Sequence, residues 1–279
     1  MRKIRLIALD LDGTLLSSDK QLSDVNRAAL EKAAGEGIEI VPATGRFYRG
    51  MPEVIRKLKF VNYVISVNGA EVYDVREKKT LCGCEIPFER AVAVMERLDK
   101  TDVIYDCYQD GWGWMTEELY NKAEQYAANV HSLEMIKNLR TPVPNLKDCL
   151  KERARGVQKI QVFFKDMKLR ERVLNSLPAE FPDLVVTTSI VNNIEINSRE
   201  ATKGVALEKL ASCLGIPIAE TLAFGDDTND ISMLEAAGIG VAMGNSDEKV
   251  KKSADYITCG CDENGVAEAL KHFLWENEK

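Results

Sequence analysis

Histidine is nearly absent. His131 and His272 are the two in 279 residues, and neither stands at a spacing from a second ligand or a nucleophile that would build a metal site or a nucleophile–base pair. Long apolar runs are missing as well. No stretch of about 18 uncharged apolar residues occurs, and the apolar opening MRKIRLIALDLDGTLL carries Asp10 and Asp12, so neither a membrane span nor a signal peptide is expected. There is no Gly-x-x-x-x-Gly-Lys-Ser/Thr segment. The glycines of Gly238-x-Gly240-x-x-x-Gly244 follow a helical pattern and flank a strand, whereas a dinucleotide loop follows a strand and opens a helix.

Positive charge is in deficit, with 37 Lys and Arg against 44 Asp and Glu and a formal net charge of −7. That balance gives no general attraction to polyanions, so no nucleic-acid partner is expected. The run Lys147–Lys159 mixes in Asp148 and Glu152 and reads as a solvated surface. The seven cysteines are an odd number in a chain long enough to build its own core, which predicts reduced thiols and a cytoplasmic setting. Cys82-x-Cys84 and Cys259-x-Cys261 are spaced too tightly for structural zinc. Internal repeats and linkers rich in Pro, Gly or Ser are also lacking.

What is present is an ordinary globular composition, 45% hydrophobic and 29% charged, at a length near two domains. Ile4–Asp10 reads as a buried strand, residues 23–36 as a helix capped by Ser23, and Ile38–Pro42 as the next strand, one β-α-β crossover. A helix at 52–58 and a strand at 63–67 follow. Beyond Asn68 the alternation lapses: short strands near 72–74 and 80–82, a helix at 88–98, strands at 103–108 and 112–116, a helix at 117–130, a loop at 141–144, a strand at 157–164, a helix at 169–177 and a strand at 184–188. From Asn193 doubly wound texture resumes, with strands at 193–196, 221–225, 239–242 and 256–257 and helices at 203–214, 228–237, 247–252 and 264–274. The pattern predicts an α/β fold, a doubly wound, Rossmann-like parallel sheet core of residues 1–82 and 190–279 interrupted by an inserted α+β cap at 83–189.

Four stretches carry unusual chemistry at strand ends or helix starts: Asp10-x-Asp12-Gly13-Thr14, Thr44-Gly45-Arg46, Lys203-Gly204 and Gly225-Asp226-Asp227-x-Asn229-Asp230. A parallel sheet can bring Asp10 and Asp226 to one edge, where converging carboxylates repel unless they share protons or hold a cation. Oxygen-only donors suit Mg²⁺.

Together these stretches resemble the haloacid dehalogenase superfamily, and within it the Cof-type phosphatases, whose type C2 cap is inserted between the second and third motifs. The resemblance covers essentially the whole chain. It implies that Asp10 is the nucleophile that forms an aspartyl-phosphate, ionised at an ordinary carboxyl pKa of about 3.9. It makes Asp12 the acid that protonates the leaving oxygen and then the base that activates water. Mg²⁺ would be held by the Asp10 carboxylate, the Asp12 main-chain carbonyl and the Asp226 carboxylate, with Asp230 orienting a metal-bound water or engaging Lys203, and Asp227 supporting. Donors to phosphate would be the Thr44 hydroxyl, the Lys203 ammonium and main-chain amides from Leu11 onward, while Gly45, Arg46, Asn68 and Asn229 would line the phosphate or substrate cavity. Here Ser198–Thr202 precedes Lys203-Gly204 where the family often has Gly-Val or Gly-hydroxyl, a departure in loop geometry.

The implied activity is Mg²⁺-dependent hydrolysis of small phosphomonoesters, sugar phosphates foremost and cofactor-precursor phosphates also allowed, with a cap that selects the leaving group. No obligate protein partner is implied. A sugar phosphomutase, or a noncatalytic metal- and phosphate-sensing protein, would use the same residues.

Overall fold

The protein is described from a computed structural model over residues 3–188 and 190–276. The chain divides into two compact units, Met1–Gly83 with Ala201–Lys279, and Cys84–Glu200. The helix end read at 275–279 lies outside the described residues from 277 onward, as do residues 1, 2 and 189.

The first unit is built on a parallel sheet in the order Tyr256–Ile257, Ile239–Ala242, Thr221–Gly225, Leu6–Leu9, Glu39–Pro42. Leu6–Leu9 and Thr221–Gly225 are buried throughout, as strands covered on both faces must be. Their alternation divides the core. Ile7 and Leu9 pack with Leu30, Ala33, Val266 and Leu270 from the helices Asp24–Gly35 and Gly265–Leu270. Leu6 and Ala8 pack with Leu207, Leu210, Met233 and Leu234 from the helices Lys203–Cys213 and Ile231–Ala236.

Register fixes the functional edge. Leu9 pairs with Phe224 on one side and Pro42 on the other, so Asp10, Ala43-Thr44 and Asp226 all leave the sheet at its carboxyl end. A three-stranded antiparallel sheet, Tyr63–Ser66, Glu71–Asp74 and Lys79–Gly83, joins the parallel sheet through isolated bridges at Ile40–Val61 and Ala43–Ile65.

The second unit is a six-stranded sheet in the order Leu184–Thr187, Asn193–Ser198, Lys159–Phe164, Val103–Gln109, Trp112–Thr116, Arg140–Val143. Residues of the helices Phe88–Leu98, Leu146–Arg153 and Met167–Glu180 share one apolar cluster with Tyr105, Cys107, Val162 and Ile196. Alternate positions are polar and buried, with Arg140 Nε 2.7 Å from Asp106 Oδ2 and Lys159 Nζ 3.0 Å from Glu195 Oε1.

Several elements differ from the sequence reading, among them the helix Leu146–Arg153, which lies in the run read as a solvated surface. The strand expected to resume the parallel sheet near 193 pairs antiparallel with Leu184–Thr187 and Lys159–Phe164 instead, so the second unit runs on to Glu200 and not to 189. The strand's sequence, Asn-Ile-Glu-Ile-Asn-Ser, alternates polar and apolar side chains, the period of a strand with one apolar face and not the continuous apolar run of a parallel core strand. The helix read at 117–130 ends at Asn121 and is followed by a single 3-10 turn at Ala123–Gln125, and a helix that the sequence reading did not place, Val130–Leu139, begins behind a capping box of Asn129 and Ser132. The loop read at 141–144 belongs to an edge strand, Arg140–Val143, where Pro142 is tolerated. Among the described residues no helix is long and apolar enough to cross a membrane.

Candidate active site

Lys203 opens its helix behind Thr202, whose hydroxyl oxygen accepts from Val205 N–H at 3.2 Å. Gly204 lets that first turn sit against the neighbouring helix, because a Cβ there would lie 2.1 Å from the Ser232 carbonyl oxygen. The Lys203 side chain has no exposure, and its ammonium donates to Asp10 Oδ1 at 2.5 Å and Asp230 Oδ1 at 2.6 Å. Burial alone would depress Lys203, yet the two carboxylates hold it above the ordinary lysine range. The other oxygen of Asp230 accepts from the main-chain amides of Asp226 at 3.0 Å and Asp227 at 3.1 Å. Both oxygens of Asp230 are therefore engaged in positioning Lys203 and the Asp226-Asp227 backbone.

Asp10 departs from its expected ordinary pKa. Burial pushes it up to about 7 against the pull of Lys203, with Asp230 and Asp226 adding repulsion. Asp226, half-buried, rises to about 6, again chiefly by burial. One oxygen of Asp226 accepts from the Thr14 hydroxyl at 2.7 Å. Gly13, at φ 91°, passes so close that a Cβ would lie 2.3 Å from Asp226 Oδ2. Carboxylate oxygens of Asp10, Asp226 and Asp230 all lie within 4.8 Å of one another.

This donor set fits a hard divalent cation. Among the described residues no hydrogen bond reaches Asp10 Oδ2 or Asp226 Oδ2, whereas both Asp230 oxygens are taken. Two raised carboxylates with a free oxygen apiece are what a cation would relieve.

Asp12, two residues beyond Asp10, is half-buried. Arg46 grips its carboxylate with Nε at 3.0 Å and a second guanidinium nitrogen at 3.2 Å, and Lys20 Nζ is 3.1 Å away. Burial raises Asp12, but these two cations outweigh it and hold the carboxyl below its usual range. Arg46, read as a residue of the phosphate cavity, thus rests on Asp12.

Thr44 is buried at the adjoining strand end. Its hydroxyl oxygen accepts from Arg46 N–H at 3.2 Å, and its own proton remains available to donate. Asn68, at φ 57° behind Val67 at φ 51°, is pinned by its amide to the Thr44 carbonyl at 3.0 Å. Its Oδ1 accepts from Asn229 Nδ2 at 3.1 Å and lies 3.0 Å from where a Gly45 Cβ would be, so these three residues meet. Leu11 puts its side chain in the apolar core, leaving only main chain for a ligand. Asp227 is exposed and caps the turn at Thr228, whose amide it accepts at 2.6 Å.

Sequence reasoning left Thr14, Lys20 and Asn245 without a role. Thr14 was legible within the first motif. Lys20 was not, because its approach to Asp12 depends on a turn in which Lys20 itself adopts φ 61°. Asn245 donates from Nδ2 to the Gly13 carbonyl at 2.9 Å across 232 positions, a partner that local sequence cannot indicate.

Residues 7–270 match the family model of haloacid dehalogenase-like hydrolases. The chain is 36% identical to the phosphatase YwpJ of Bacillus subtilis (strain 168), over 97% of this chain and 100% of that protein. It is 34% identical to a 5-amino-6-(5-phospho-D-ribitylamino)uracil phosphatase, YcsE, of the same organism, over 97% and 96%. Among solved structures it is similar to TM0651 of Thermotoga maritima, with a TM-score of 0.82 at 28% identity, covering 96% of this chain and 97% of that one.

Proposed function

Because this chain belongs to the haloacid dehalogenase-like hydrolases and is a phosphatase of that family, we propose that it hydrolyses small phosphomonoesters through an aspartyl-phosphate on Asp10, with Mg²⁺ as its cation. The observation that carries this reading is the Asp10 carboxylate, held at one oxygen by a fully buried lysine and free at the other, beside a second free carboxylate oxygen on Asp226. Asp10, Asp226 and the main-chain carbonyl of Asp12 would hold Mg²⁺, which when bound supplies positive charge that keeps both carboxylates ionised and neutralises phosphate.

The chain's own residues then divide the work. An Asp10 carboxylate oxygen attacks phosphorus as the bond to the leaving oxygen breaks, and Asp12 gives the leaving oxygen its proton. In the second half, Asp12 takes a proton from water as the water oxygen attacks phosphorus and the acyl-phosphate P–O bond breaks, returning Asp10. Lys203 and Thr44 meet the non-bridging oxygens. Arg46 and Lys20 favour the charged form of Asp12, and a bound phosphate dianion competes for the same cations. Release of Asp12 from them raises its proton affinity when an acid is needed.

For the organic part we favour phosphorylated sugars and sugar alcohols. The relative that acts on a phosphoribityl compound supports an ester of an open polyol chain alongside sugar phosphates. The test is phosphate release from a panel of sugar and ribityl phosphates with Mg²⁺, run beside Asp10→Asn. Wild-type protein quenched during turnover should carry a hydroxylamine-labile phosphoryl group, and Asp10→Asn should carry none and release no phosphate. Turnover persisting in Asp10→Asn would reject the covalent route, and isomerisation of a sugar phosphate without net release would favour a mutase.

A further inference from the structure

Asn245 lies outside the four acidic and basic stretches, yet the sheet delivers it to the same edge. Ala242 pairs with Gly225, and the Met243 amide donates to the Gly225 carbonyl at 3.0 Å, so Gly244-Asn245 emerges beside Asp226. On its other side the Thr258 amide donates to Ala242 and the Gly244 amide to the Cys259 carbonyl, at 3.0 and 3.1 Å, which brings residues 258–261 alongside. In that gap the Asn245 side chain uses both ends of its amide. Nδ2 donates to the Gly13 carbonyl at 2.9 Å, and Oδ1 accepts from the Cys261 amide at 2.9 Å.

The first of these bonds bears on the acidic cluster. A trans peptide holds its C=O and N–H on opposite sides of one plane, so fixing the Gly13 carbonyl fixes the Gly13–Thr14 peptide. On one side of that peptide Gly13 runs against Asp226 at a φ that only glycine adopts easily, and on the other the Thr14 hydroxyl donates to Asp226 Oδ1. We infer that Asn245 is a positioning residue for the cation site: through Gly13 and Thr14 it sets the Asp226 carboxylate relative to Asp10. Asn245 is itself exposed, and these are its only side-chain hydrogen bonds among the described residues, one toward the cation site and one that tethers the 258–261 loop. The inference rests on the reading of Asp10 and Asp226 as Mg²⁺ ligands.

The test compares wild type, Asn245→Ala and Asp262→Ala by thermal melting during Mg²⁺ titration without substrate. Asp262 accepts from the Ser18 amide at 2.9 Å and so ties the same loop to the segment after the first motif, without touching Gly13. Removal of Asn245 should leave the metal-free melting temperature within about 2 °C of wild type, as for an exposed side chain. The Mg²⁺ concentration that gives half the melting shift should rise roughly tenfold, the scale seen when a partner of a metal ligand is lost. At saturating Mg²⁺, kcat should fall while KM for a phosphomonoester stays. Asp262→Ala should keep the wild-type midpoint. An unmoved midpoint in Asn245→Ala overturns the inference, as does an equal rise in Asp262→Ala, which would assign the effect to loop tethering. A wild-type protein with no Mg²⁺-dependent shift would remove the metal reading itself, a result separate from either.

Discussion

Lys203 is the residue on which the site's charge balance turns. It is one buried cation between two buried or nearly buried carboxylates, and each bond is near the short end for a charge-assisted contact. Removing one member of such a group leaves uncompensated buried charge, at a cost of about 3 kcal/mol or more. Lys203→Met should therefore lower stability by that order in urea unfolding at pH 8, and by less at pH 5, below the raised pKa of Asp10, where that carboxyl can take up a proton. It should also lower kcat by roughly 10²–10³-fold, as expected for loss of a preorganised donor to developing charge. A variant as stable at pH 8 as wild type would mean that the lysine is not the counter-charge its geometry describes. Asp10 and Asp226 stand out in the sequence because motif and strand end coincide, and Lys203 because its Lys-Gly pair stands at a helix start. Lys20 and Asn245 do not, since their partners are chosen by a strained turn and by a third strand end.

At the scale of elements, what the sequence showed best was the strands of the parallel core, Leu6–Leu9, Glu39–Pro42, Thr221–Gly225 and Ile239–Ala242, whose buried runs alternate with helices, while their order in the sheet is legible only in the fold. What it showed least was the assignment of Asn193–Ser198 and the second helix and edge strand of the 117–143 region. In Asn193–Ser198 polar and apolar residues alternate and both are buried, so neither its burial nor its place follows from a continuous apolar run, and the Asn129 cap is a local signal inside a segment otherwise continuous in helix formers. Two loop glycines separate conformation from contact. Gly13 and Gly215 both have positive φ, 91° and 62°, but a Cβ at Gly215 meets nothing within 4 Å, whereas one at Gly13 would strike Asp226. Gly215→Ala should cost about 1 kcal/mol of backbone strain and leave phosphatase activity and Mg²⁺ response unchanged. Gly13→Ala should pay that strain and in addition abolish the Mg²⁺-dependent melting shift, with far-ultraviolet circular dichroism preserved. Equal behaviour of the two variants would show that the close approach of Gly13 to Asp226 has no part in cation binding.

For the whole molecule, the raised carboxylates tie folding, protons and cation together. Without a metal, Asp10 titrates near 7 and Asp226 near 6 in the folded chain, against an ordinary value near 4 when unfolded. Between pH 4 and 7 the folded state then binds more protons than the unfolded one, so these groups make the metal-free protein lose stability as pH rises through that window. A divalent cation reverses the trend, because it binds the ionised pair and must first displace the protons. At pH 5.5 Asp10 is about 1.5 units below its pKa, which weakens apparent Mg²⁺ affinity roughly thirtyfold relative to pH 8, before any contribution from Asp226. Stabilisation by a ligand of the folded state grows with its concentration over its dissociation constant. A fixed few millimolar MgCl₂ should consequently raise the melting temperature substantially at pH 8 and little at pH 5.5. KCl at matched ionic strength should do neither, which separates site binding from screening of the net charge of −7. Equal increments at the two pH values would mean that Mg²⁺ does not compete with protons on Asp10, and the acidic cluster would then not be where it binds.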